Sequence, residues 1–314
     1  MVRIGFIYDF DLTLSEEFQQ YPIFREFAAQ LKEVHGVSLP EEYWRLCNNS
    51  EMGVGWMQQL VKDAKAGVFP NLTNQRMRDH FASQIKLSPG LVTLDGTANW
   101  FDRVNEYCQD NGSEGEHHVI SVGVHPLIAG TAVFPNLTSL RSGTFNEDDS
   151  GIVDIKTIVD PFRKVEDVKS ICKGTDLHED LPLDRYHINY RNVIIFGDGQ
   201  SDKDMFRYIR QRGGIAVAVF EEGNWQEYRK AIKNLGDSVN IIAPRDYSGG
   251  STLDELIKEH VGKISSEICD MDYDLVHKFL LGQLRNDAVR TVVQGHYQDC
   301  GLCQERSELK AYFS

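Results

Sequence analysis

Val2-Arg3-Ile4-Gly5-Phe6-Ile7-Tyr8-Asp9-Phe10-Asp11-Leu12-Thr13 is an apolar run that ends in two carboxylates separated by one residue. Its first part reads as a buried β-strand over about residues 3–8. An ionised carboxylate at the edge of a core must be paired, hydrogen-bonded or metal-bound, or its pKa moves until it is neutral. Taken alone, Asp9 would simply begin a polar turn. A second run weakens that reading, because Asn192-Val193-Ile194-Ile195-Phe196 leads straight into Gly197-Asp198-Gly199-Gln200-Ser201-Asp202. Two apolar strands that each end in a pair of acids are a metal site in outline.

Around these runs, 314 residues suffice for one large domain with an insertion or for two domains. A net charge of −14 argues against a nucleic-acid backbone or an anionic membrane surface as partner. It also repels an anionic substrate at long range, so a local cation or metal has to do the attracting. Every apolar run is shorter than the ~18–20 residues of a membrane span, and the N-terminus lacks the pattern of a signal peptide. Six scattered cysteines make no disulfide framework, so the expected compartment is the reducing cytoplasm.

From Ser15 to about Ile85 the pattern is helical: Phe24, Phe27, Ala28 and Leu31 recur at three and four residues, as do Met57, Leu60, Val61 and Ala64. From about Pro89 strands alternate with helices. The expected strands lie at 118–122, 131–134, 152–159 (in a hairpin with the preceding turn), 192–196, 215–219 and 239–243. The main expected helices run through Trp100–Tyr107 and over 163–173, 202–211 and 224–234. This alternation predicts an α/β fold with a doubly wound, mostly parallel, Rossmann-like sheet. The expected organisation is a core of 1–14 plus 88–262, an all-helical cap over 15–87 inserted after the first acidic turn, and a helical C-terminal extension over 263–314. In such sheets ligands sit beyond the carboxyl ends of the strands, where Asp9, Ser121 and Asp198 fall. The hexapeptide Val-Phe-Pro-Asn-Leu-Thr occurs at both 68–73 and 133–138, with no likeness extending outward.

The acids suit Mg²⁺ better than zinc, being hard oxygen donors with no Cys or His in either turn. An Asp9 that stays ionised on a metal can attack phosphorus. Asp11, one residue on and facing the other way, can carry a proton to the leaving alkoxide and take one from water. Ser121, ahead of Gly123, can grip a phosphate oxygen, and a lysine can stabilise the equatorial oxygens. Lys164, which opens a helix, can supply that charge, and Lys156 is its rival.

Asp9-Phe10-Asp11-Leu12-Thr13, Ser121, Lys164 and Gly197–Asp202 match in order the four motifs of the haloacid dehalogenase superfamily. Over about residues 3–260 the chain resembles its phosphoserine-phosphatase-like phosphatases, which carry a helical cap after the first motif. The resemblance implies Asp9 as nucleophile and Mg²⁺ ligand, and Asp11 as general acid/base with its backbone carbonyl on the metal. It implies Asp198 as a further Mg²⁺ ligand, supported by Asp202, and Ser121 and Lys164 as phosphate-binding. An acid at position 11 is similar to the phosphatases and phosphotransferases rather than the dehalogenases.

One departure stands out: where phosphoserine phosphatases place a glutamate nine residues after the nucleophile, this chain has Phe18. The resemblance therefore implies a Mg²⁺-dependent phosphatase of a small phosphorylated metabolite, with phosphoserine itself disfavoured. A phosphotransferase or mutase on the same scaffold is the nearer alternative, and a non-catalytic binding or scaffold protein the more distant one. Glu16, Glu17, Gln19 and Tyr21 lead from the first motif into the cap, where they either touch the leaving group or face solvent. An acidic pair there would suit an ammonium-bearing substrate. Trp44, Met52, Trp56 and Met57 read mainly as cap core, with one of them available to line the cavity. His117-His118 reads as a loop-to-strand junction. His296, Cys300 and Cys303 have metal-ligand spacing but lack an obvious fourth ligand other than Cys269. The amphipathic C-terminal stretch would permit a homodimer.

Overall fold

The computed structural model describes residues 2–47, 55–93, 97–175, 178–266, 278–279, 283 and 285–299. Its strands are β1 (Val2–Tyr8), β2 (Ser113–Val124), β3 (Ser139–Asp148), β4 (Gly151–Thr157), β5 (Val193–Gly197), β6 (Ile215–Phe220) and β7 (Ile241–Pro244). They form one seven-stranded sheet in the order β4-β3-β2-β1-β5-β6-β7. Every pairing is parallel except the β3–β4 hairpin. The expected doubly wound α/β architecture is the one observed.

β1 lies at the centre, and its alternation separates two cores. Ile4, Phe6 and Tyr8 face one side with Trp100, Phe101 and Val104 of helix Trp100–Asp110 and Leu253, Ile257 and Val261 of helix Thr252–Ser266. Ile7 faces the other with Val168 and Ile171 of helix Pro161–Lys173 and Met205, Phe206 and Ile209 of helix Lys203–Arg210. Burial on both faces explains why β1 from Ile4 onward and β5 are unbroken apolar runs.

On the first side a polar chain crosses the core. Trp100 Nε1 donates to the Tyr8 hydroxyl at 3.0 Å, and that hydroxyl lies 3.0 Å from His117 Nδ1. His117 Nε2 is 3.2 Å from Asn105 Oδ1. The neutral imidazole satisfies both partners, and burial, followed by His118, pushes its pKa down to about 3.

Two local expectations are corrected. Thr131–Phe134 is not a strand: it is a turn that leads into a 3-10 helix at Phe134–Asn136, and the strand begins at Ser139. β3 and β4 carry many polar residues because the hairpin projects past the sheet, so hydrophobicity did not mark the strand. His117 and His118 are not a junction either, since both are buried inside β2, which starts at Ser113 and runs beside β1 from Val2. The repeated hexapeptide also takes two shapes. Asn71 adopts φ 57°, while its counterpart Asn136 closes the 3-10 turn.

The inserted helices include Tyr21–Glu26, Ala28–His35, Pro40–Cys47 and Gly55–Lys65. Inside them Asp63 accepts from the Tyr43 hydroxyl and lies 2.9 Å from His35 Nε2, which satisfies a buried carboxylate. The chain's two crossings between cap and core are stapled: Glu16 N donates to Lys86 O and Ser88 N to Leu14 O. The cap is also tied to the hairpin by Ile152 N to Leu72 O at 2.8 Å and Asn74 N to Glu147 Oε2 at 2.6 Å.

Near the C-terminus helix Asp287–Asp299 buries Val293. Met52, Cys269, Cys300, Cys303 and the side chain of His296 lie outside the described residues. Among the described residues no helix is long and apolar enough to cross a membrane.

Candidate active site

The register of the central strands brings the two acidic turns together. Tyr8 pairs with Phe196, and Asp9 N donates to Phe196 O at 2.9 Å, so Asp9 and Asp198 leave the same edge of adjacent strands. β1 is flanked by β2 on one side and β5 on the other, which makes this the point where the strand order reverses. One carboxylate oxygen each from Asp9, Asp198 and Asp202 lies within 4.8 Å of the others. A Cβ on Gly197 would run into the Asp202 carboxylate, so the glycine gives Asp202 its place.

The lysine that reaches these acids is Lys164. It is fully buried, with Nζ 2.7 Å from both Asp9 Oδ1 and Asp202 Oδ1. Asp160 caps its helix by accepting from Arg163 N, and Pro161 opens the first turn. Lys156 is exposed on β4. Burial alone would depress the Lys164 pKa, but Asp202 and Asp9 outweigh it and the ammonium is held charged.

One cation does not balance the cluster. The Asp9 pKa is raised, first by burial and then by Asp202 and Asp11, although Lys164 acts against this. Asp198 is raised well above its ordinary value by burial, Asp202 and Asp9, with Lys164 and Arg245 opposing. This deficit of positive charge, in a set of oxygen donors only, is what a hard divalent cation would relieve. Asp202 has both oxygens engaged, Oδ1 by Lys164 and Oδ2 by Gly199 N at 3.2 Å, so Asp9 and Asp198 have the freer carboxylates.

The Asp11 side chain is absent from this trio and turns to Gln19. It accepts from Gln19 N at 2.7 Å and from Gln19 Nε2 at 3.2 Å. Burial raises its pKa to about 6, against the lowering effect of both Gln19 bonds and of Lys164. Ser121 is buried near the end of β2, and its Oγ accepts from Gly123 N at 3.0 Å. The pairing of β2 with β3 breaks register between Ile120 and Val124, which frees the backbone around Ser121. Asp9, Asp11, Ser121, Asp198, Gly199 and Ser201 share a pocket of about 240 Å³ with Phe18, Trp44 and Trp56 from the cap.

Two residues of this arrangement were beyond sequence reasoning in their roles. Gln19, expected to meet the leaving group or solvent, is fully buried and joins Asp11 to Val124, whose N–H donates to Gln19 Oε1 at 3.0 Å. A Cβ on Gly123 would overlap the Gln19 amide, so only glycine lets it in. Arg245, with no motif to mark it, donates to Leu12 O at 2.6 Å. Thr13 O accepts from Tyr247 Oη and Ser88 Oγ, both at 3.1 Å. These bonds hold the turn after Asp11, where Leu12 adopts φ 56°, a left-handed conformation uncommon for leucine. Of the other expected contacts, Glu17 pairs with Arg25 in a bidentate ion pair and Glu16 is exposed.

No protein-family model and no curated protein matches the chain. Solved structures do. A substrate-bound phosphoserine phosphatase aligns over 82% of this chain and 99% of its own, at 17% identity and a TM-score of 0.51. A haloacid-dehalogenase-family hydrolase from Salmonella enterica serovar Typhi aligns over 76% of this chain and 73% of its own, at 16% identity and a TM-score of 0.46. The likeness to the first is one of fold: the chain shares the fold of that phosphoserine phosphatase.

Proposed function

We propose that the chain is a Mg²⁺-dependent phosphatase that hydrolyses a small phosphomonoester through an aspartyl-phosphate on Asp9. The observation that carries this reading is the trio Asp9, Asp198 and Asp202 around Lys164, with Asp9 and Asp198 lining a pocket that also holds Asp11 and Ser121. Asp9, Asp198 and the Asp11 backbone carbonyl would hold Mg²⁺, with Asp202 supporting. When bound, the ion supplies the positive charge that lets a phosphate dianion approach three carboxylates.

In this reading Asp9 attacks phosphorus, the bond to the ester oxygen breaks, and Asp11 gives its proton to that oxygen. Asp11 then takes a proton from the water that attacks phosphorus and cleaves the acyl phosphate, freeing the Asp9 carboxylate. A carboxyl with a pKa of about 6 is suited to both directions near neutral pH. Ser121 Oγ and the backbone N–H groups around it hold phosphate oxygens, and Lys164 keeps Asp9 oriented while adding charge. Residues 15–87 form a cap over a core of 1–14 and 88–262, and the cap keeps bulk water from the phosphorus.

Purified protein should release phosphate from p-nitrophenyl phosphate with Mg²⁺ present, stop when the ion is chelated, and resume on its return. Undiminished release in the chelator would overturn the metal dependence.

A further inference from the structure

We infer that the pocket selects phosphate esters whose alcohol carries an alkylated, permanently cationic nitrogen, the chemical class of phosphocholine. This rests on the phosphatase reading above and narrows it to a substrate class.

The pocket also has an aromatic lining, Phe18, Trp44 and Trp56. Phe18 and Trp44 stack with centroids 4.6 Å apart at 27°, and Trp44 meets Trp56 at 6.1 Å and 49°. Trp56 is buried, whereas Phe18 and Trp44 are partly open. Val122 and Pro161 add further apolar surface.

Three substrate classes fit this wall poorly. Among the described residues that line the pocket none is Lys or Arg, so an anionic leaving group meets no counter-charge. The aromatic wall offers no carboxylate, amide or hydroxyl, and its polar groups are limited to the indole N–H donors of Trp44 and Trp56, so a sugar would leave most of its buried hydroxyls short of acceptors. A primary ammonium would strand its N–H donors against the rings in the same way.

A cation wrapped in methyl groups has no such donors. It gains from apolar contact and from the electron-rich ring faces at once. The charged residues among the described lining are all acids, Asp9, Asp11 and Asp198. The volume of about 240 Å³ lies below the ~300–1,000 Å³ of drug-sized ligand sites, which limits the ester to a small alcohol.

The test is calorimetric binding to Mg²⁺-loaded Asp9→Asn protein, which does not depend on turnover. The four ligands are phosphocholine, its neutral isostere 3,3-dimethylbutyl phosphate, phosphoethanolamine and phenyl phosphate. Phosphocholine should bind at least about 10-fold more tightly than each of the others. Trp44→Leu should bring its ratio to the isostere close to one, and Trp44→Phe should keep most of the preference. Equal or tighter binding of the isostere overturns the cationic requirement. Phosphoethanolamine equal to phosphocholine overturns the requirement for alkylation, and tighter phenyl phosphate assigns the wall to flat rings instead. Failure of all four to bind also overturns the inference. Hydrolysis of the same esters by the unaltered protein reads the phosphatase assignment separately: selective binding without turnover would sink that assignment and leave this selectivity standing.

Discussion

Replacing Gln19 with leucine keeps the volume of a fully buried side chain while removing two of its bonds. The Gln19 Nε2 bond to Asp11 Oδ2 is lost, and Val124 N–H loses its acceptor, Oε1. The Gln19 backbone N–H still donates to Asp11 Oδ1. Stranding a buried N–H costs about 1–3 kcal/mol, and losing a bond to a carboxylate adds to it, so the variant should be about 3 kcal/mol less stable. Because the Gln19 side chain lowers the Asp11 pKa, its removal should move that pKa further above about 6. A hydrogen bond to a charged group at 3.2 Å belongs at the weak end of ~1.5–3 kcal/mol, which converts to a rise of about one pH unit. Asp11 must be protonated to release the alcohol, so the alkaline limb of the kcat/KM profile should shift to higher pH. Turnover itself should fall about 10-fold as the carboxyl loses one of its two fixed donors. Urea unfolding gives the stability and the pH-rate profile gives the shift. A variant of unchanged stability, or a limb that moves to lower pH, would refute the reasoning.

His117 predicts a pH-dependent stability. Its folded pKa of about 3 lies below the ordinary 6.5, so between these values the unfolded chain binds the extra proton. Stability should therefore fall on acidification from pH 6.5 by about 1.4 kcal/mol per unit from this group. His117→Gln should flatten the slope in urea titrations from pH 7 to 5, and parallel slopes would contradict the assignment. Lys164→Met leaves Asp9 and Asp202 without their shared cation, and should cost about 3–5 kcal/mol in metal-free protein. Added Mg²⁺ should raise the melting temperature of this variant more than that of the parent. An unchanged melting temperature in metal-free Lys164→Met would remove Lys164 from the centre of the site.

The parts of the site legible in the sequence were those whose chemistry is local. Asp9 and Asp198 stand out because an apolar strand makes an acid at its end conspicuous, and β1 from Ile4 onward and β5 are apolar. Ser121 and Lys164 drew notice only through their order between the two acidic runs; the fold then brought Lys164 to the acids and left Lys156 exposed. Gln19 and Arg245 were hidden for a different reason. Their partners Val124 and Leu12 lie 105 and 233 residues away, and a glutamine or an arginine carries no spacing that reports such contacts. The strand error had a similar cause. Thr131–Phe134 has strand-like composition, but the strand pairing with β2 is the more polar Ser139–Asp148, whose hairpin leaves the sheet to meet the cap.

The central claim is that Asp9 carries the phosphoryl group, and rapid acid quench of the Mg²⁺-loaded protein with a labelled phosphate ester tests it most directly. The label should appear on the peptide containing Asp9, precede release of phosphate, and be absent from Asp9→Asn. Phosphate released at an undiminished rate by Asp9→Asn, or label on a different residue, would contradict it.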